Sequence, residues 1–101
     1  LGRVAIGKGS VIKKSTLRGP VVIGENVEIE SSFIGPYTSI GNNVKIVKSS
    51  IEHSVIMNDS ELREIERIEE SLVGRRVLIT KNNTSHKALR LLLGDDSVVE
   101  V

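Results

Sequence analysis

Residues 6–11 read Ile-Gly-Lys-Gly-Ser-Val, and related hexapeptides return as Ile-Gly-Glu-Asn-Val-Glu at 23–28 and Ile-Gly-Asn-Asn-Val-Lys at 40–45. Each unit begins 17 residues after the previous one. The same register aligns two further aliphatic columns, Ile12 with Ile29 and Ile46, and Leu17 with Ile34 and Ile51. Every period therefore carries three aliphatic positions, separated by six, six and five residues, which is the mark of a repeat architecture.

This spacing predicts a three-sided coil. Alternate residues of a strand point to the same side, so each aliphatic residue and the residue two before it face inward. A chain that repeats this every five or six residues must turn three times per coil. The residues expected to adopt the positive φ of tight corners are Gly7, Gly24, Gly35, Gly41, Gly74 and the pair Asn42-Asn43. We therefore predict an all-β fold, a triangular solenoid of parallel strands with about four or five coils.

The repeat weakens after residue 56. Met57-Asn58 stands where the Ile-Gly pair is expected, and Leu62 comes one residue early. The apolar spacing in residues 61–70 is also compatible with a helix. Because Ile68 keeps the 17-residue register with Ile51, we predict a fourth, shortened coil here instead.

The C-terminal residues depart from the repeat. Leu-Arg-Leu-Leu-Leu at 89–93 is followed by Gly94-Asp95-Asp96 and by Ser-Val-Val-Glu-Val at 97–101. An apolar run, a turn signal and a second apolar run predict a hairpin that caps the solenoid. We accordingly divide the chain into the β-helix, residues 1–80, and a C-terminal loop with capping strands, residues 81–101.

Composition narrows the function. The 12 Ile and 13 Val outnumber the 9 Leu, which favours strands. Lys and Arg number 14 against 13 Asp and Glu, spread along the chain without interleaved aromatic residues, so no nucleic acid partner is expected.

No apolar run is long enough to span a membrane. The chain has no Cys, which is compatible with a cytoplasmic location. Because it begins at Leu1 within the repeat, we expect a fragment of a longer protein.

Several segments resemble one enzyme family. Arg-Gly-Pro-Val-Val-Ile-Gly at 18–24, Ile-Glu-Glu-Ser-Leu-Val-Gly-Arg at 68–75 and Leu-Gly-Asp-Asp-Ser-Val-Val-Glu at 93–100 are similar to the C-terminal domain of long-form glucose-1-phosphate thymidylyltransferases. The hexapeptides also resemble those of left-handed β-helix proteins. The left-handed sense is implied by this resemblance alone, since crossovers between parallel strands are otherwise right-handed in about 98% of cases.

The resemblance also implies a function. In that family an N-terminal domain transfers a nucleotidyl group from dTTP to glucose 1-phosphate with Mg²⁺, and its Gly-rich loop with Thr-Arg is absent from these 101 residues. We therefore expect no catalytic residue and no cofactor in this fragment. Its expected roles are assembly or regulation. Its expected partners are its own N-terminal catalytic domain and further copies of the chain, and a trimer is one expected assembly. A structural solenoid without an attached enzyme is a further alternative.

A second alternative is an acyltransferase that uses acyl-CoA, as related β-helices do. It would need a general base, and His53 is the candidate because it falls near a corner with its ring directed outward. No long loop interrupts the neighbouring coils to build an acceptor site. A solvated corner residue is therefore the favoured interpretation of His53.

Other candidate sites are weaker. A three-histidine zinc site is excluded because the chain has only His53 and His86, and His86 falls in a polar loop. The adjacent Arg75 and Arg76 would suit a phosphate or an acidic surface, although a solvated corner is the favoured interpretation. The Asp95–Asp96 pair could touch a metal, although a turn after Gly94 explains it equally well.

Exposed apolar side chains would mark an interface. Strand alternation predicts that Val22, Phe33 and Ile56, each one residue before a ladder position, point outward. An apolar outer face suggests contact with another subunit or with the catalytic domain. Scattered surface hydrophobic residues are the alternative.

Overall fold

A computed structural model describes residues 2–80 and 92–100. These residues form sixteen short strands and no helix. In chain order the strands are β1 (Val4–Ile6), β2 (Val11–Lys13), β3 (Thr16–Leu17), β4 (Val21–Ile23), β5 (Glu28–Glu30), β6 (Phe33–Ile34), β7 (Thr38–Ile40), β8 (Lys45–Val47), β9 (Ser50–Glu52), β10 (Val55–Ile56), β11 (Glu61–Arg63), β12 (Ile68–Glu69), β13 (Leu72–Val73), β14 (Leu78–Thr80), β15 (Leu92–Leu93) and β16 (Val98–Glu100).

The strands stack into three parallel sheets. The first sheet has the order β1-β4-β7-β10-β13-β15, the second β16-β14-β11-β8-β5-β2, and the third β12-β9-β6-β3. Every strand pair in them is parallel. The chain visits the sheets in turn, so three strands and three corners make one coil. The predicted β-solenoid of about five coils is confirmed, while its left-handed sense stays a prediction.

Three aliphatic ladders fill the interior. Each predicted column aligns as expected, for example Ile23 with Ile40 in the first sheet and Ile29 with Ile46 in the second. β-branched side chains suit these short strands because they pack against the same residue type one coil away. The buried aliphatic residues of the second to fifth coils are Val21, Ile23, Val27, Ile29, Ile34, Ile40, Val44, Ile46, Ile51, Ile56, Leu62, Ile65, Ile68, Val73, Val77 and Ile79.

One residue of nearly every corner lies in the left-handed region, at a position that repeats along the solenoid. The first corner, between the first and second sheets, has Asn26, Asn43, Asp59, Arg76 and Asp96; the second has Lys14, Ser31, Lys48 and Glu64; the third has Tyr37, His53 and Glu70. The same backbone positions bond to the adjacent coil: the N–H of Asn43 donates to Glu25 O at 2.9 Å. These bonds offset the local cost of positive φ.

The corner glycines serve a different purpose from the predicted one. Asn43 has the expected positive φ, but Asn42 and the five predicted glycines do not, so that prediction is wrong for all of them. Glycine is needed at 41 because the coils approach closely there: a Cβ atom would lie 2.8 Å from the amide nitrogen of Asn58.

Serine hydroxyls link successive coils at the second corner. Ser32 Oγ donates to Glu30 O at 2.8 Å and accepts from the N–H of Ser49 at 3.1 Å. Ser49 Oγ repeats the pattern with Val47 O and the N–H of Ile65. Each hydroxyl thus satisfies a backbone donor that would otherwise be buried without a partner.

The third corner shortens by one residue after Ile51. Ile34 and Ile40 are six residues apart, whereas the equivalent Ile51 and Ile56 are five apart. Ile56 therefore pairs with Ile40 and is 1% exposed. The predicted outward orientation of Ile56 is wrong, because the lost residue reverses which side chains face the core.

The fourth coil follows the predicted course. Ile68 pairs with Ile51, and Leu62 pairs with Ile46. Residues 61–70 hold strands β11 and β12, so the alternative helix does not form. An additional residue between Leu62 and Ile68 restores the 17-residue separation from the third coil.

The predicted capping hairpin is wrong. Strand β15 pairs with β13 and β16 pairs with β14, both in parallel, so the last strands begin another coil. A hairpin would pair β15 with β16 in antiparallel and would leave the edges of β13 and β14 open. The parallel pairing of β15 and β16 instead gives hydrogen-bond partners to the backbone N–H and C=O groups at the edges of β13 and β14. Residues 81–91, which include the predicted loop, lie outside the described residues, as do Leu1 and Val101.

Candidate interaction surfaces

The outer face of the first sheet carries an apolar stripe. The central or first residue of each strand points outward while its neighbours enter the core, as with exposed Val22 between buried Val21 and Ile23. We define the outer stripe as the column of stacked residues Ala5, Val22, Ser39, Val55, Leu72 and Leu92. The exposed fractions are 56% for Val22, 43% for Val55, 41% for Leu72 and 80% for Leu92.

The stripe includes one of the three predicted interface residues. Val22 belongs to it, whereas Ile56 lies in the core and its neighbour Val55 takes the outward position. Phe33 lies half-buried on the third sheet, away from the stripe. Val55 and Leu72 were missed because the shortened third corner moved both of them out of the expected 17-residue register with Val22.

Phe33 contributes to a shallow cavity of about 260 Å³ on the third sheet, with Ser50, Glu52 and Arg67 among its lining residues. Arg67 Nη2 donates to Glu52 Oε1 at 2.7 Å and lies 3.4 Å from Glu69 Oε2. The hydrogen bond to Glu52 raises the pKa of Arg67. The guanidinium charge is thus already matched by carboxylates of its own sheet.

His53 lies exposed at the third corner with φ near 50°. Its N–H donates to Pro36 O at 3.0 Å, and its ring lies against the ring of Tyr37 with centroids 5.3 Å apart. The 260 Å³ cavity of the third sheet is not lined by His53. A general base must face its substrate within hydrogen-bond distance, so the role of His53 as a general base stays a prediction.

The predicted phosphate and metal candidates neutralise each other. Asp95 accepts from the backbone N–H of Arg75 at 2.8 Å and from its Nη2 at 2.9 Å. Arg76 donates to the two carboxylate oxygens of Asp96 through its guanidinium alone, from Nε and from Nη2. The pKa of Asp95 is lowered mainly by the hydrogen bond from the Arg75 backbone N–H and next by the bond from the Arg75 guanidinium. The hydrogen bond from Arg76 lowers the pKa of Asp96. These pairs join adjacent coils, so the Arg75–Arg76 and Asp95–Asp96 sites are one structural contact.

Among residues 2–80 and 92–100, no three His, Cys, Asp or Glu side chains group closely enough to hold a metal ion. His86 lies outside these ranges. No helix in the same part of the chain is long and apolar enough to cross a membrane.

The first coil leaves the core uncovered at one end. Val4 and Ile6 are 40% and 50% exposed, whereas Val21 and Ile23 in the next coil are each 2% exposed. We call this surface the open end; it also includes the half-buried Ile12 and Leu17. These four side chains point inward, so their exposure results from the absence of a covering layer in the described residues.

The architecture defines a class of protein, the parallel β-solenoids with three short strands per coil, here mostly of 16 or 17 residues. Within that class, the family model of the GMPPB C-terminal domain matches residues 17–100, and the chain belongs to this family.

Two curated relatives are glucose-1-phosphate thymidylyltransferases. The protein of Streptomyces antibioticus is 42% identical over 101 residues, and that of Streptomyces griseus is 34% identical over 101 residues. Each match covers the whole of this chain but 28% of the relative's length. The resemblance read from the sequence is therefore confirmed at the level of the family.

Proposed function

We propose that this chain is the β-solenoid domain of a nucleotidylyltransferase that joins dTTP and glucose 1-phosphate and releases pyrophosphate. The similarity to two relatives with that name, over all 101 residues, carries the proposal. In it the domain serves assembly or regulation, and the chemistry belongs to a preceding catalytic domain that binds Mg²⁺. A cytoplasmic location accompanies the proposal and agrees with a chain that has no Cys.

The length of the relatives supports this division of labour, because the chain matches 28% of each of them. Nucleotidyl transfer needs a metal and cationic groups around a triphosphate. Arg75, Arg76 and Arg67 are each held by carboxylates, and no metal cluster forms in the described part of the chain. Apolar surfaces, in contrast, are present on the outer stripe and at the open end.

Assembly is the role that we favour. The outer stripe runs along the whole first sheet, and exposed apolar columns of this kind mark contacts between proteins. We propose that it joins copies into a homo-oligomer, with a trimer as the expected state because three-sided solenoids commonly form trimers.

The decisive experiment compares the full-length protein, a version that lacks these 101 residues, and the 101-residue chain alone. Pyrophosphate release is measured with dTTP, glucose 1-phosphate and Mg²⁺. We expect release from the full-length protein and none from the chain alone, and a smaller oligomer when the solenoid is removed. A full-length protein that is inactive with both substrates, or unchanged in assembly without the solenoid, would contradict the proposal.

A further inference from the structure

We infer that the shallow cavity of about 260 Å³ on the third sheet binds a small organic cation, an ammonium or guanidinium group on an alkyl stem. Three features point to this ligand. A bulge opens the cavity, an aromatic ring is fixed in its wall, and one of its carboxylates has no partner. The site lies within the solenoid, so the inference does not depend on the activity proposed for the longer protein.

The cavity forms where the third sheet contains a bulge. The N–H of Ser50 donates to Ile65 O at 3.2 Å, and the next residue, Ile51, pairs with Ile68. Residues 66–67 therefore lie opposite Ser50 alone, which is the pattern of a β-bulge. The cavity lies between these two longer side chains and the preceding coil, above the small serine.

The ring of Phe33 forms the opposite wall of the cavity. Phe33 pairs with Ser50 in the adjacent strand. Its ring folds over Gly35, where an added Cβ atom would lie 2.9 Å from Phe33 Cε2 and 2.8 Å from Glu52 Cβ. Glycine is thus needed at 35 to seat the ring. A cation in the cavity would lie beside this ring, and an aromatic face attracts a cation within about 6 Å of its centre.

The charge that remains available in the cavity is negative. Arg67 Nη2 is held by Glu52 at 2.7 Å and lies 3.4 Å from Glu69. Glu66 also lines the cavity, and its exposed carboxylate forms no ion pair or hydrogen bond with the residues that the structure describes. An anion would have to displace a carboxylate from Arg67, whereas a cation can bind Glu66 directly.

The size of the cavity selects a single small group. Pockets for drug-sized ligands measure about 300–1,000 Å³, and this cavity is smaller. An alkyl stem would contact Phe33 while its charged end binds Glu66. Two sources share this chemistry: a free amine or guanidine compound, and a lysine or arginine side chain of another protein.

The test measures how selectively an amine couples to Glu66. The full-length protein is treated with a carbodiimide and increasing n-butylamine, and the amides are mapped by mass spectrometry. Glu64 is the matched control, because it is exposed and unpaired like Glu66 but does not line the cavity. Trypsin cleaves after Arg63 and Arg67, so one peptide carries both carboxylates. A second arm omits the amine and searches for a cross-link from Glu66 to a lysine.

We expect n-butylamine to label Glu66 several-fold more than Glu64, with a signal that saturates because the probe first binds in the cavity. Ethylguanidinium, which does not couple, should reduce the label at Glu66 and leave Glu64 unchanged. Phe33→Leu should remove the preference for Glu66. Ser50→Leu, which fills the cavity and keeps the ring, should do the same, and the urea midpoint of each variant shows whether it is folded.

A lysine cross-link at Glu66 in the arm without amine would support the inference and identify a protein as the source of the cation. Equal labelling of Glu66 and Glu64 without such a cross-link would overturn the inference. A preference for Glu66 that both folded variants retain would overturn it as well, because the label would then report only the exposure of that carboxylate.

Discussion

Thr38 is the one buried side chain in the described residues whose polar atom has no hydrogen-bond partner. It is 3% exposed and pairs with Val21 in the adjacent strand of the first sheet. Its shape fits the ladder because threonine and valine are both β-branched. Its hydroxyl does not fit, because a buried polar atom without a partner has lost its hydration.

We therefore expect Thr38→Val to stabilise the fold by about 1 kcal/mol, since a methyl group replaces the unpaired hydroxyl. The measurement is the free energy of unfolding from urea denaturation. Thr38→Ser is the control: it keeps the hydroxyl, removes the methyl group and should be less stable than the wild type. Equal or lower stability of Thr38→Val would mean that Thr38 Oγ1 has a partner in solution.

Ser49 is the opposite case, a buried hydroxyl with two partners. Its Oγ donates to Val47 O at 2.9 Å and accepts from the N–H of Ile65 at 3.1 Å. We expect Ser49→Ala to destabilise the fold by about 1–3 kcal/mol, because it leaves the Ile65 N–H buried and unpaired. Ser39→Ala, at an exposed position, should change the urea midpoint little. Similar effects of both substitutions would argue against a structural role for the serine ladder.

At the scale of elements, the last two strands are held by a contact that depends on pH. The carboxyls of Asp95 and Asp96 have lowered pKa values because Arg75 and Arg76 bind their charged forms. A lowered pKa in the folded state contributes stability above the unfolded pKa of aspartate, about 3.9, and the contribution is lost as pH falls through the folded value.

Acid should therefore release strand β16 before the central coils unfold. The amide of Leu78, which donates to Ser97 O at 2.8 Å, reports this contact, and the amide of Glu28, bonded to Val44 O, is the internal control. NMR is expected to show loss of protection at Leu78 below about pH 4 while Glu28 stays protected. Combining Asp95→Asn with Asp96→Asn should remove this pH dependence; if it persists in the double variant, another group is responsible.

The elements also show how far the sequence predicts the structure. The columns of Ile23 and Ile29 were predictable because each coil repeats one residue type at one spacing. The orientation of Ile56 was not predictable, because strand alternation allows either of two pairs to face the core. One pair is Val55 with Met57, and the other is Ser54 with Ile56. Only the length of the corner before them decides which pair faces inward. The Arg75–Asp95 contact was missed because an insertion changes the spacing from 17 to 20 residues.

At the scale of the whole molecule, the outer stripe and the open end are two separate apolar surfaces. The stripe lies on the side of the solenoid, where it can contact a second copy, and the open end lies across its axis. The fold was predictable from its period, but these surfaces were only partly so. The position of Val55 in the stripe depends on the length of one corner, which the repeat pattern does not reveal.

We expect Val22→Glu combined with Leu72→Glu to dissociate the proposed oligomer, because it places two carboxylates in the outer stripe. Sedimentation velocity of the full-length protein measures the change in mass. Val11→Glu is the matched control, since Val11 is 46% exposed on the outer face of the second sheet. An oligomer that resists the double substitution, or that Val11→Glu disrupts equally, would place the interface elsewhere.

The stacking of the coils has a consequence for synthesis on the ribosome. Each strand bonds to a strand that was made 16 or 17 residues earlier in most of the chain, so every coil finds its template already present when it emerges. The solenoid can then form by successive addition from its N-terminal side, without waiting for distant sequence. The first coil is then the template on which the second coil pairs in all three sheets.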